Sequence, residues 1–145
     1  MKQSIDIKVF IISIFFVFYG CAGVTLKDYQ PRSADEEEII EVLVKHERAW
    51  NEQDISGFME TFHDSALIEL GCGGQLAPVN ESADRIKRMM AEYPTVKLVN
   101  PRLDISGNEV VVKVKSTELG DESHLFRLEM LRENDRWLII KETCI

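Results

Sequence analysis

Three histidines, three cysteines and a surplus of carboxylates are the groups in this chain that could do chemistry. His46 stands out, because it falls in the apolar stripe Ile39, Val42, Leu43, Ala49 and Trp50, spaced as one face of a helix. An imidazole turned inward in that stripe can donate or accept a proton near neutral pH. The alternative is a core histidine satisfied by a neighbouring carbonyl or carboxylate. His63, between a short helix and a strand, needs only a loop or capping role, and His124 opens a strand beside Asp121 and Glu122, where it reads as exposed. Arg127 and Glu129 share one strand face, opposite Phe126, Leu128 and Met130, and an ion pair explains them as well as a ligand does. No Ser-His-Asp arrangement, phosphate-binding loop, dinucleotide fingerprint or zinc-protease motif is present. Neither CxxC nor a Cys/His cluster at ligand spacing occurs, so no metal and no cofactor is expected.

The cysteines carry a different message. Cys21 closes a short apolar run, Val9 to Tyr19, that follows a head bearing Lys2 and Lys8. Charged head, apolar stretch and small residue make a secretory signal over residues 1–20, and the run is shorter than the roughly 20 residues a helix needs to span a bilayer. Cysteine directly after Gly20 resembles the lipobox of bacterial lipoproteins, although Phe18 and Tyr19 are bulkier than its usual residues. That resemblance implies lipidation of Cys21 and attachment to the membrane on the periplasmic side. Ala22 after the cysteine favours the outer membrane. An ordinary signal with an incidental cysteine is the other possibility. Cys72 and Cys144 then remain as an even pair in an oxidising compartment, either bonded or as two free thiols. A bond would close a loop of about 70 residues, stabilising the fold by roughly 4 kcal/mol. The net charge is −8, one unit more negative without the signal, which argues against nucleic acid and against direct contact with anionic lipid.

The elements that must position these groups follow from periodicity and punctuation. Residues 21–33 read as the lipidated cysteine and a tether, and 34–145 as one domain. Ser33 and Glu36 match a capping box opening a helix of about 17 residues. Asp54 caps a short second helix through Ile55, Phe58, Met59 and Phe62. Ala66 to Leu70 reads as a strand, stopped by Gly71-Cys72-Gly73-Gly74, with a short return strand in 75–79. A third helix runs from Asn80 or Ser82 to Pro94. Four alternating segments, 96–105, 109–118, 124–132 and 136–144, then form an antiparallel meander. The layout is α+β, with three N-terminal helices packed on one face of a curved, mostly antiparallel sheet of five to six strands.

The stretch Ala49-Trp50-Asn51-Glu52-Gln53-Asp54-Ile55-Ser56-Gly57-Phe58, followed by Phe62-His63-Asp64-Ser65-Ala66 and closed by Arg136-Trp137-Leu138-Ile139-Ile140, resembles the NTF2-like superfamily, in particular its SnoaL-like and ketosteroid-isomerase-like domains. The resemblance covers about residues 35–143. It implies a cone enclosing a pocket, usually in a homodimer, with His46, Trp50, Met59, Phe62, Leu70 and Phe126 lining it. It also places His46 where isomerase-type members carry a tyrosine and Leu70 where they carry the general-base aspartate. Leucine takes no proton, and neighbouring Glu69 should face away by strand alternation. The expected function is therefore a lipid-anchored, non-catalytic module binding a small apolar ligand or a partner. The alternative is a small pocket enzyme (isomerase, lyase or hydrolase) using His46 with a nearby carboxylate.

Overall fold

Residues 23–118 and 123–145 are described by the computed structural model; Cys21 and the signal segment lie outside the described residues. The first helix, α1 (Ala34–Asn51), starts where its capping chemistry says it should. The Ser33 hydroxyl accepts the Glu36 N–H at 3.2 Å. The Glu36 carboxylate, however, reaches the N–H of Arg32, one residue before the cap, at 2.9 Å. It also accepts the Arg32 guanidinium at 2.8 Å and the Tyr29 hydroxyl at 3.0 Å.

That knot changes the domain boundary. The described part of the expected tether is docked onto the domain. Leu26, in a 3-10 turn (Leu26–Asp28), is buried in the core, and Thr25 bridges Val99. The Asn100 side chain accepts the Val24 N–H at 2.8 Å, and the Asn100 N–H donates to the Val24 carbonyl at 2.7 Å. A segment poor in large apolar groups reads as a linker, but here one leucine and a few backbone bonds suffice to fix it.

Asp54 caps α2 (Ile55–Met59) by accepting the Gly57 N–H at 2.9 Å. This helix is little more than one turn, and Phe62, expected on it, instead opens β1 (Phe62–Glu69). A turn with Gly71 and Gly73 at positive φ (85° and 81°) returns the chain as β2 (Leu76–Pro78). A 3-10 turn (Val79–Glu81) leads into α3 (Ala83–Glu92). Its cap residue is Ser82, whose hydroxyl donates back to the Pro78 carbonyl instead of closing the helix. Thus the third helix follows the first hairpin and is not N-terminal to the whole sheet.

The meander comprises β3 (Val96–Ser106), β4 (Glu109–Glu118), β5 (Ser123–Glu133) and β6 (Arg136–Cys144). The six strands form one curved, open sheet in the order β2-β1-β6-β5-β4-β3, antiparallel except for the β1–β6 pair, the second from the β2 edge. Two irregularities shape it. In β3, Asn100 (φ 55°) and Pro101 bulge between Val99, opposite Lys115, and Arg102, opposite Lys113. In β6, Glu129 faces Lys141 while Met130 faces Ile139, so Ile140 is the extra residue of a bulge. The core lies between the helices and one sheet face, built on Ile39, Leu43, Phe58, Ile68, Ile86, Leu128 and Ile139. No described helix is long and apolar enough to cross a membrane.

Candidate functional site

A cavity of about 340 Å³ opens between the helices and the sheet, within the range of small-molecule sites. From α1 come His46 and Trp50, and from α3 Met89; the sheet supplies Ile68, Val114, Phe126, Leu128 and Glu142. The last turn of α1 is fixed to the start of β3 by Asn51, whose amide donates to the Val96 carbonyl at 2.9 Å and whose carbonyl accepts its N–H at 2.7 Å. The Trp50 indole donates to the Tyr93 carbonyl at 2.7 Å, closing the same end against the segment after α3.

His46 and Glu142 are the polar pair of this wall. Their side chains are 9% and 13% exposed, with Nε2 and Oε2 3.4 Å apart. His46 also packs against Phe58 and Phe62, with ring centroids at 4.2 and 5.4 Å. Hydrogen positions around the imidazole follow from its other contact. Its Nδ1 lies 2.9 Å from the buried Thr61 hydroxyl oxygen, and that hydroxyl already spends its one hydrogen on the Phe58 carbonyl at 2.7 Å. The imidazole must therefore donate from Nδ1. In the neutral ring, Nε2 then turns a lone pair toward the Glu142 carboxylate, and only a proton or another cation makes that approach favourable. Among the described residues, Glu142 Oε2 is fully enclosed and receives no hydrogen bond, although His46 Nε2 lies 3.4 Å away.

Of the residues expected to line the pocket, the structure brings His46, Trp50, Leu70 and Phe126 to this cavity. Met59 and Phe62 do not reach it. The brevity of α2 turns Met59 toward a separate shallow depression, and Phe62, already on β1, packs beneath His46 and Phe58. Leu70 is buried just past β1, at 4% exposure. Glu69 borders the cavity, but its two oxygens accept the N–H groups of Gly73 (2.7 Å) and Cys144 (3.2 Å).

Glu142 is the residue the sequence does not reveal. Strict alternation from Trp137 and Ile139 puts Glu142 on the outer face; the extra residue at Ile140 reverses the phase and turns it inward, opposite Leu128. The adjacent Ile139-Ile140 pair, followed by a lysine that alternation would bury, was the available signal. At the cavity mouth Cys72 and Cys144 are joined in a disulfide, with Cα atoms 5.1 Å apart. His124, expected to be exposed, is half-buried there, its Nδ1 3.5 Å from the Cys72 sulfur. The fold thus gathers two cysteines and a histidine, with ligand atoms within 4.8 Å of one another, that their sequence spacing does not announce. Bonded to each other, the sulfurs are not the thiolates that metal binding uses.

No protein-family model matches the chain, and no curated protein is significantly similar to it in sequence. Solved structures do resemble it. An NTF2-like protein of unknown function from Shewanella baltica superposes with a TM-score of 0.66 at 18% identity, covering 81% of this chain and 97% of its own. An NTF2-like protein from Cytophaga hutchinsonii gives 0.67 at 16% identity, over 77% and 98%. A candidate ketosteroid isomerase from Shewanella frigidimarina gives 0.62 at 16% identity, over 72% and 92%. At these identities the likeness concerns architecture, and the chain has the NTF2-like fold.

Proposed function

We propose that this chain is an envelope ligand-binding protein: an NTF2-like domain that holds a small, largely apolar molecule in its cavity without transforming it. A lipid on Cys21 would anchor it to the periplasmic side of the membrane, the outer membrane being the favoured one. The observation that carries the binding role is the cavity itself, whose apolar walls enclose a converging His46–Glu142 pair. A non-catalytic role is supported by Leu70 at the position that the resemblance assigns to the general base, and by the engagement of both Glu69 oxygens with backbone N–H groups. Leu67 and Leu125, exposed on the outer sheet face, suit the homodimer common among proteins of this type.

Native mass spectrometry on protein purified from its own envelope tests the proposal. A retained small molecule that is lost from a cavity-filling Leu70→Trp variant is expected. An empty protein, unresponsive in thermal stability to a broad set of small molecules, would sink it. The anchor is tested separately by palmitate labelling, which must disappear in Cys21→Ser. One observation favours a second reading: Glu142 beside His46 is the carboxylate partner that an acid–base pair requires. Turnover of any small substrate that His46→Ala abolishes would put the enzyme reading first.

A further inference from the structure

The charge inventory of the cavity wall is lopsided. Three carboxylates border it, those of Glu47, Glu69 and Glu142, together with the imidazoles of His46 and His124. The chain has 17 lysines and arginines, yet among the described residues none lines this wall, and Arg85 meets it only at the Leu70 carbonyl, 2.9 Å from its guanidinium. Two of the carboxylates serve the backbone. Glu47 accepts the Leu98 N–H at 2.6 Å, and Glu69 accepts those of Gly73 and Cys144. Glu142 alone has an enclosed oxygen with no donor. A buried acceptor left unpaired is costly, and a charged one more so.

We infer that the cavity is selective for a compact apolar cation, a protonated amine on an aromatic or aliphatic frame, with Glu142 as its counter-ion. The inference rests on the cavity being a ligand site, and it names the ligand's charge. Three features converge on it. First, the Glu142 side chain, 13% exposed, borders the cavity, and an ammonium beside it supplies the compensating charge. Second, His46 cannot fill that role as a neutral ring, because its Nδ1 hydrogen is committed to Thr61 and its Nε2 presents a lone pair. An ammonium at Glu142 supplies the positive charge that the pair otherwise needs from a proton on Nε2. Third, the aromatic residues Trp50, Tyr93 and Phe126 are among those lining the same space, and aromatic faces attract cations while burying the apolar remainder of a ligand. An anionic ligand would meet three carboxylates on a wall that no described lysine or arginine lines. A neutral one would bring no charge to balance the Glu142 carboxylate.

Matched probes on one frame test this: phenethylamine, phenethyl alcohol and phenylacetate, titrated into the folded domain by calorimetry at neutral pH. Binding of the amine at least about tenfold tighter than the alcohol, with no detectable phenylacetate binding, is expected. Glu142→Gln, which keeps the side chain's shape, should remove most of the amine-over-alcohol preference. The wild-type ratio stands whether or not the variant folds. Equal or tighter binding of the alcohol would overturn the cation inference and leave the ligand reading intact. Failure of all three probes, with no molecule retained by protein from its own envelope, would overturn both.

Discussion

Thr61 decides how His46 can be used. By giving its hydrogen to the Phe58 carbonyl it forces the imidazole to donate from Nδ1, and so determines what Nε2 presents to Glu142. Thr61→Val keeps the shape but strands the imidazole N–H in a buried place, while the Phe58 carbonyl still accepts the backbone N–H of residue 61 at 3.1 Å. We expect it to cost about 2 kcal/mol in urea denaturation, against about 1 kcal/mol or less for Thr61→Ser, which retains the hydroxyl. Equal costs for the two variants would mean that the hydroxyl does not hold the ring. At this scale the sequence reveals half of the site. His46 is visible because a helix repeats every 3.6 residues and the surrounding stripe marks the inward face. Glu142 is hidden because one extra residue at Ile140 inverts a two-residue repeat, a break that the sequence marks by no more than the Ile139-Ile140 pair and the lysine after it.

Elements with strong local punctuation were legible almost to the residue. The four meander strands and α1 sit where alternation, turn residues and the Ser33 cap put them, because each is specified by contacts close in sequence. What escaped were the features set by distant partners: the docking of 23–33, the truncation of α2 by β1, and the parallel β1–β6 pairing. The start of α1 also makes a prediction about pH. Hydrogen bonds from the Arg32 side chain, then from its backbone N–H, hold the Glu36 carboxyl below the usual carboxylate range. A carboxyl depressed in the folded state stabilises the protein above its unfolded value and loses that contribution as pH falls through the folded one. Thermal midpoints should therefore fall below about pH 4.3, the ordinary glutamate value, and Glu36→Gln should flatten that decline while lowering the midpoint at neutral pH. Parallel curves for the two proteins would mean that Glu36 is not coupled to folding.

For the whole molecule, the disulfide ties the turn after β1 to the end of β6, across the cavity mouth. It spans 72 residues, and the chain-entropy argument assigns such a loop roughly 4 kcal/mol. Reduction, or Cys72→Ser with Cys144→Ser, should lower unfolding stability by that order in a urea titration, and thiol titration of the folded, unreduced domain should find neither cysteine free. A negligible difference would mean that the sheet alone holds the mouth together.

Under the proposed lipid anchor, the docking of Val24 on Asn100 has a consequence for how the domain would stand on a membrane. With a lipid on Cys21, only Ala22 and Gly23 separate the acyl anchor from backbone that is already pinned to β3. Two extended residues reach roughly 7 Å, so the domain has almost no leash. It would sit against the headgroups with its Asn100 corner down, swivelling little, and the cavity would keep a set bearing to the bilayer. Ligand would then arrive from one direction, and lengthening this stalk by a few flexible residues would alter its capture without touching any side chain in the cavity.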